Sequence, residues 1–293
     1  MEEWNMFTLN FTGNDPTIVC QIKRICLILK KLGQEVNKTC GGHIHIGANY
    51  LTNTQAWQNL VELWANTERI LFIISNAKGE IPRPGIKEYA EPISRDLEKQ
   101  MAIGMIRLNK ESDLQDFKNQ IRKSQIKREK GISFHNIMKG GIQTIEFRTP
   151  NGSLSPETWL ENISLFGSIV KIAEDLSIIQ QKSRSKATGQ ECYFLECFEL
   201  IRNKAVNEEQ TLELLLELVI PESERDIYRE RYRINNSLLQ QNPEINNYIG
   251  CNVADRSIKI TEDSLFSGFN RIRESELKNT SEEIERTLRP KLR

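Results

Sequence analysis

Apolar residues recur at helical spacing in several separated stretches of the chain. The first runs through Ile18, Val19, Ile22, Ile25, Cys26, Leu29 and Leu32. Asp15-Pro16 before it is a helix-entry pair, and Gly33 suits the exit. A second helix carries Trp57, Leu60, Val61, Trp64, Leu71 and Ile74 and extends to about Ser75. Thr52-x-x-Gln55 has the spacing of a capping box at its start. A third follows "NGSLSP", with Ser155 as N-cap and Pro156 in the first position, and reaches about Gln181 with Trp159, Ile163, Phe166, Ile169, Val170, Ala173 and Leu176. Further helices are predicted over 191–203, 208–219, 222–240 and 262–288. Residues 86–130 are strongly charged and read as helical, with a mobile section at "KSQIKREKG".

Two other stretches switch to a period of two, the signature of a half-buried strand. "GHIHIG" at 42–47 sends His43 and His45 to one face and Ile44 and Ile46 to the other. In "IQTIEFRTP" at 142–150, Thr144, Glu146 and Arg148 share a face opposite Ile145 and Phe147. "ISFHNIM" at 132–138 is a third strand candidate. The glycine pair 140–141 reads as the turn of a hairpin between it and the 142–150 strand.

Composition narrows the function classes. Forty Lys+Arg balance forty Asp+Glu, so the formal net charge is zero, which argues against a nucleic-acid partner. No apolar run is long enough to span a bilayer and the N-terminus carries no signal-peptide pattern. A cytoplasmic protein without membrane contact is therefore expected. The six cysteines form no C-x-x-C pair and read as reduced, mostly buried thiols. The polar stretch "QQKSRSKATGQ" at 180–190 reads as a linker, dividing the chain into an α+β domain (1–185) and a helical C-terminal region (186–293).

Two imidazoles, a carboxylate and a guanidinium would converge if the two polar strand faces belong to one sheet. That set suits a divalent metal bearing a phosphate ligand. His43 and Glu146 are the candidate metal ligands, and His45 and Arg148 the groups that would neutralise phosphate oxygens. The donors are too few for a closed zinc site. A solvated polar sheet face is the plainer alternative.

"CGGHIHIGANYLT", a long helix, then "TIEFRTPNGSLSPETWLENISLF" resemble the amidoligases of the glutamine synthetase and glutamate–cysteine ligase superfamily. The resemblance covers about residues 12–180. It implies ATP-dependent amide or isopeptide formation assisted by Mg2+ (or Mn2+): ATP phosphorylates a carboxylate, and an amine displaces phosphate from the acyl-phosphate. The substrates implied are a small-molecule or peptide carboxylate and an amine. The implied fold is α+β, a curved, mostly antiparallel sheet with helices on one face, followed by an all-helical C-terminal region. By position, His43 and Glu146 match the metal ligands, and His45 and Arg148 the groups facing nucleotide phosphate and transferred phosphoryl. Arg83, in a proline turn, and Asn136 match substrate-facing positions.

The chain departs from the pattern at its start. The family's opening strand, F-G-x-E-x-E, supplies two acidic metal ligands, and nothing before Gly13 matches it. Glu2 and Glu3 are adjacent and would point to opposite faces of a strand. The implied fold is thus N-terminally incomplete. Two functions stay open: an ATP-dependent carboxylate–amine ligase, or a catalytically impaired or truncated relative that acts as a binding or assembly module, engaging a protein partner through its C-terminal helices.

Overall fold

The computed structural model describes residues 17–94, 115, 119, 128–138, 143–182 and 186–250. Asp15, Pro16, most of the charged stretch 95–127, the glycine pair 140–141, Cys251 and the helix expected at 262–288 lie outside them.

Helices dominate the described residues. Helix α1 (Thr17–Lys31) buries Ile22 and Cys26. It ends where Gly33 takes a positive φ of 71°, with Gly33 N–H on Lys30 O and Gln34 N–H on Leu29 O, a Schellman closure. Helix α2 (Thr54–Ile74) is capped by Asn53, whose side chain accepts from Ala56 N–H at 3.0 Å. Thr52, expected in that role, is engaged elsewhere: its hydroxyl donates to Glu174 Oε1 at 2.6 Å. Helix α3 (Ile86–Tyr89) is a single turn. Helix α4 (Pro156–Gln181) starts as the sequence suggests, Ser155 accepting from Thr158 N–H with Pro156 in the first turn. Helices α5 (Gly189–Arg202), α6 (Glu208–Val219) and α7 (Arg225–Gln240) follow. A short α8 (Pro243–Ile249), not anticipated, closes the described part.

The sheet departs from expectation. It has three antiparallel strands in the order β1 (Ile44–Gly47), β3 (Thr144–Phe147), β2 (Ile132–Ser133). It is small, neither closed nor strongly curled, and the described residues do not form the glutamine synthetase-like curved sheet. Strands of four, four and two residues, each rotated by roughly 20–25° from its neighbour, cannot build a concave bowl. The stretch 132–138 is extended only at its start. His135–Met138 form a 3-10 turn, which places Phe134 and Ile137, one turn apart, both in the interior.

One face of this sheet packs on α2 and α4. Ile44, Ile145, Phe147 and Ile132 are buried there with Trp57, Trp64 and Phe166. Phe147 stacks on Phe166 with ring centroids 4.6 Å apart, and Trp64 leans on Phe147 at 5.4 Å. Each such side chain contributes roughly 1.5–3 kcal/mol through burial. Glu68, buried on α2, accepts from Trp64 Nε1–H and from the backbone N–H groups of Ile93 and Ser94. Burial pushes its pKa up against those hydrogen bonds.

The carboxyl end of α2 is capped from two directions. Asn162 of α4 donates to Ser75 O, Arg231 of α7 to Ile74 O, and Asn235 of α7 to Ile73 O, while Asn76 donates to Phe72 O. Four successive carbonyls left over by the helix are thereby satisfied by side chains. Of the five described cysteines, Cys26 and Cys197 are buried and Cys20 and Cys192 exposed, all free. The exposed pair falls on helix faces that no described residue covers, contrary to the expectation of mostly buried thiols. No described helix is long and apolar enough to cross a membrane.

Candidate functional site

The other face of the sheet is polar because of alternation alone. His45 lies opposite Glu146, and Glu146 opposite Ser133, in one row across the three strands. His43 precedes β1 and Arg148 follows β3. Beyond Ile44↔Phe147 the pairing resumes at Gly41↔Asn151. Two residues separate Gly41 from Ile44, but three separate Phe147 from Asn151. The extra residue on the later strand is a β-bulge, a device that re-aims side chains beside functional sites.

The glycines of "CGGHIHIG" permit this junction. A Cβ on Gly41 would sit 2.5 Å from Arg83 Nη2, and one on Gly42 2.9 Å from Asn151 O and from the Trp159 ring. At Gly42 a side chain would have to displace backbone, whereas at Gly41 it would have to push the Arg83 guanidinium aside.

Glu146 is the centre of the site and is 1% exposed. Its Oε1 lies 3.1 Å from His43 Nδ1, 3.8 Å from His45 Nε2 and 3.7 Å from Arg148 Nη1. The His43 contact is an ion-pair distance without the alignment of a hydrogen bond, and neither Glu146 oxygen has a hydrogen-bond partner. Burial pushes the Glu146 pKa up, but His43, Arg148 and His45 together outweigh it and hold the carboxyl below its ordinary value. Burial lowers the pKa of His45, opposed by Glu146 and reinforced by His43, Arg128 and Arg148. Arg148 is also depressed by burial, with Glu146 opposing. A guanidinium stays protonated regardless.

Among the described residues, Glu146 is the one carboxylate within ion-pair distance of His43, His45 or Arg148, while Glu129 acts on Arg148 from farther away. Arg148 is 6% exposed and its Nε has no partner. Its backbone N–H donates to Gly131 O at 2.8 Å, which holds the 128–131 segment beside it.

Arg83, expected to face substrate, is 4% exposed. Its Nη1 donates to Pro150 O at 2.7 Å and its backbone N–H to Asn151 Oδ1, so it braces the far side of the bulge. Asn136 joins the site: its Nδ2 lies 3.3 Å from Thr144 Oγ1 and 3.5 Å from His45 Nδ1. Thr144 in turn lies 3.0 Å from His45 Nδ1. The alternation placed Thr144 on this face, but only the cross-strand register shows its contact.

The metal implied by the resemblance can be tested against the donors present. His43 Nδ1 and both Glu146 oxygens are buried without hydrogen-bond partners, as atoms awaiting a ligand would be. Yet no group of three or more His, Cys, Asp and Glu among the described residues could hold a metal ion. One imidazole and one carboxylate fall far short of the six oxygen-rich ligands that Mg2+ demands. The described residues do not make that metal site. What they do make is a partly buried cluster of a guanidinium and two imidazoles around one carboxylate.

A family model described as "Putative amidoligase enzyme" matches residues 14–170. No curated protein and no solved structure gives a match.

Proposed function

Given that the chain belongs to the amidoligase family, a family of carboxylate–amine ligase type, we propose that it is a catalytically impaired member that works by binding. Its ligand is an anion, a phosphate or carboxylate group, received by Arg148 and the two histidines. In this reading residues 1–185 hold the ligand and residues 186–293 serve a protein partner. The observation that carries it is the make-up of the site: a buried guanidinium and two imidazoles, groups able to donate to an anion, around a single carboxylate. A site built to hold metal ions around a polyphosphate would need more carboxylates than the described residues bring together.

A second reading, a self-sufficient ATP-dependent ligase forming an amide through an acyl-phosphate, is favoured by the orphaned atoms of His43 and Glu146. One set of measurements separates the two. Calorimetry on the full chain with inorganic phosphate and with ATP, each with and without Mg2+, is expected to show binding that needs no metal. Arg148→Ala should weaken it tenfold or more. An ADP-release assay over a panel of amino acids and amines should stay at background. Amine-dependent ADP formation, abolished by Glu146→Gln, would overturn the binding-only reading in favour of the ligase.

A further inference from the structure

Three side chains behind the site form a hydrogen-bonded chain. The Asn136 amide nitrogen lies 3.3 Å from Thr144 Oγ1, and an amide nitrogen can only donate. The threonine hydroxyl accepts that hydrogen bond and has one proton of its own to give. Its other neighbour is His45 Nδ1 at 3.0 Å. Asn136 Nδ2 also approaches the same ring nitrogen, at 3.5 Å. Asn136 can only donate toward His45 Nδ1, and the Thr144 hydroxyl has a proton to send to the same atom, an arrangement that favours Nδ1 as the acceptor.

We propose that Asn136 and Thr144 are positioning residues that fix His45 in its Nε2–H tautomer, so that the ring presents a donor to the Glu146–Arg148 side of the site. The relay runs Asn136 Nδ2–H to Thr144 Oγ1, Thr144 Oγ1–H to His45 Nδ1. At the far side of the ring, Nε2 stands 3.8 Å from Glu146 Oε1. That is too long for a direct hydrogen bond and leaves Nε2–H available to an anion oxygen or a bridging water. A histidine held this way donates to a bound anion and does not offer Nε2 as a ligand to a cation. A net hydrogen bond of ordinary strength biases the tautomer ratio by about tenfold.

The role in anion binding rests on the reading of the site given above, whereas the tautomer does not, and one experiment keeps them apart. The chain has three histidines, so the full-length protein labelled with 15N-histidine gives three imidazole spin systems. His45→Gln identifies the one that belongs to His45. At pH 7.5 its Nε2 is expected to be protonated and its Nδ1 bare. Thr144→Val should turn this into a mixture of tautomers, and Thr144→Ser should restore it. Asn136→Asp, which can only accept, should turn the hydroxyl round and drive His45 toward Nδ1–H. A wild-type Nδ1–H ring, or a spectrum unmoved by both Thr144→Val and Asn136→Asp, overturns the relay. The wild-type measurement decides even where a variant fails to fold. In parallel, Thr144→Val should weaken binding of inorganic phosphate three- to tenfold, with Thr144→Ser recovering it. An Nε2–H ring in a chain that binds no phosphate upholds the relay and overturns the anion reading alone.

Discussion

At the scale of single residues, Glu146 and His45 are pulled by burial and by neighbouring charge, with opposite results. Burial favours the neutral form of both. For Glu146 the His43 side chain and Arg148 outweigh burial and it stays ionised below its usual range. For His45 burial wins and the ring resists protonation. The consequence for stability has a definite sign. In the unfolded chain His45 takes up its proton near its ordinary value of 6.5, while in the fold it does so only at lower pH. Stability is therefore full above pH 6.5 and falls as pH drops below it, until the folded ring is protonated too. Urea unfolding between pH 7.5 and 5 should show that decline, and His45→Gln should flatten it; an unchanged slope in the variant would assign the loss to another group. The period of two in "HIHI" and "TIEF" was enough to give each strand a polar face, because alternation is a local property, but that His45 and Glu146 share one face also required the two strands to pair. The contacts of Thr144, Asn136 and Arg83 were not legible. Each depends on register between distant segments, and for Arg83 on a bulge that no local pattern marks.

At the scale of elements, the helices were the readable part and their ends were less so. Helix α4 begins at the expected Ser155-Pro156 because both signals act within one turn. Helix α2 begins one residue later than the capping-box spacing suggests, because Glu174 on α4 draws the Thr52 hydroxyl away. The sheet was misjudged for a physical reason as well. A polar and an apolar face can be read from alternation, but strand length and curl depend on neighbours. One helix exit is held at a cost. After α5, Lys204 N–H meets Ile201 O and Ala205 N–H meets Leu200 O, with Lys204 at a φ of 51°. That is the left-handed region that glycine occupies without penalty. Lys204→Gly is expected to raise unfolding stability by about 0.5–1 kcal/mol, read as a higher urea midpoint at unchanged slope.

At the scale of the whole described chain, the carboxyl end of α2 ties early and late segments together. Asn235 is 1% exposed; its amide donates to Ile73 O at 3.1 Å and its carbonyl accepts from Gly79 N–H at 2.8 Å. Truncation would leave buried groups on both sides unpaired. Asn235→Ala should cost about 2–4 kcal/mol by chemical denaturation, while phosphate binding at the distant sheet face stays at the wild-type value. These caps also set a clock. The donors for Ile73 O and Ile74 O lie 162 and 157 residues downstream. At about 5–20 residues per second of synthesis, the end of α2 waits on the order of ten to thirty seconds for the side chains that finish it. Through that interval the Ile73 and Ile74 carbonyls have only water for partners, and the helix face that will carry α7 stands bare to whatever else the cell offers.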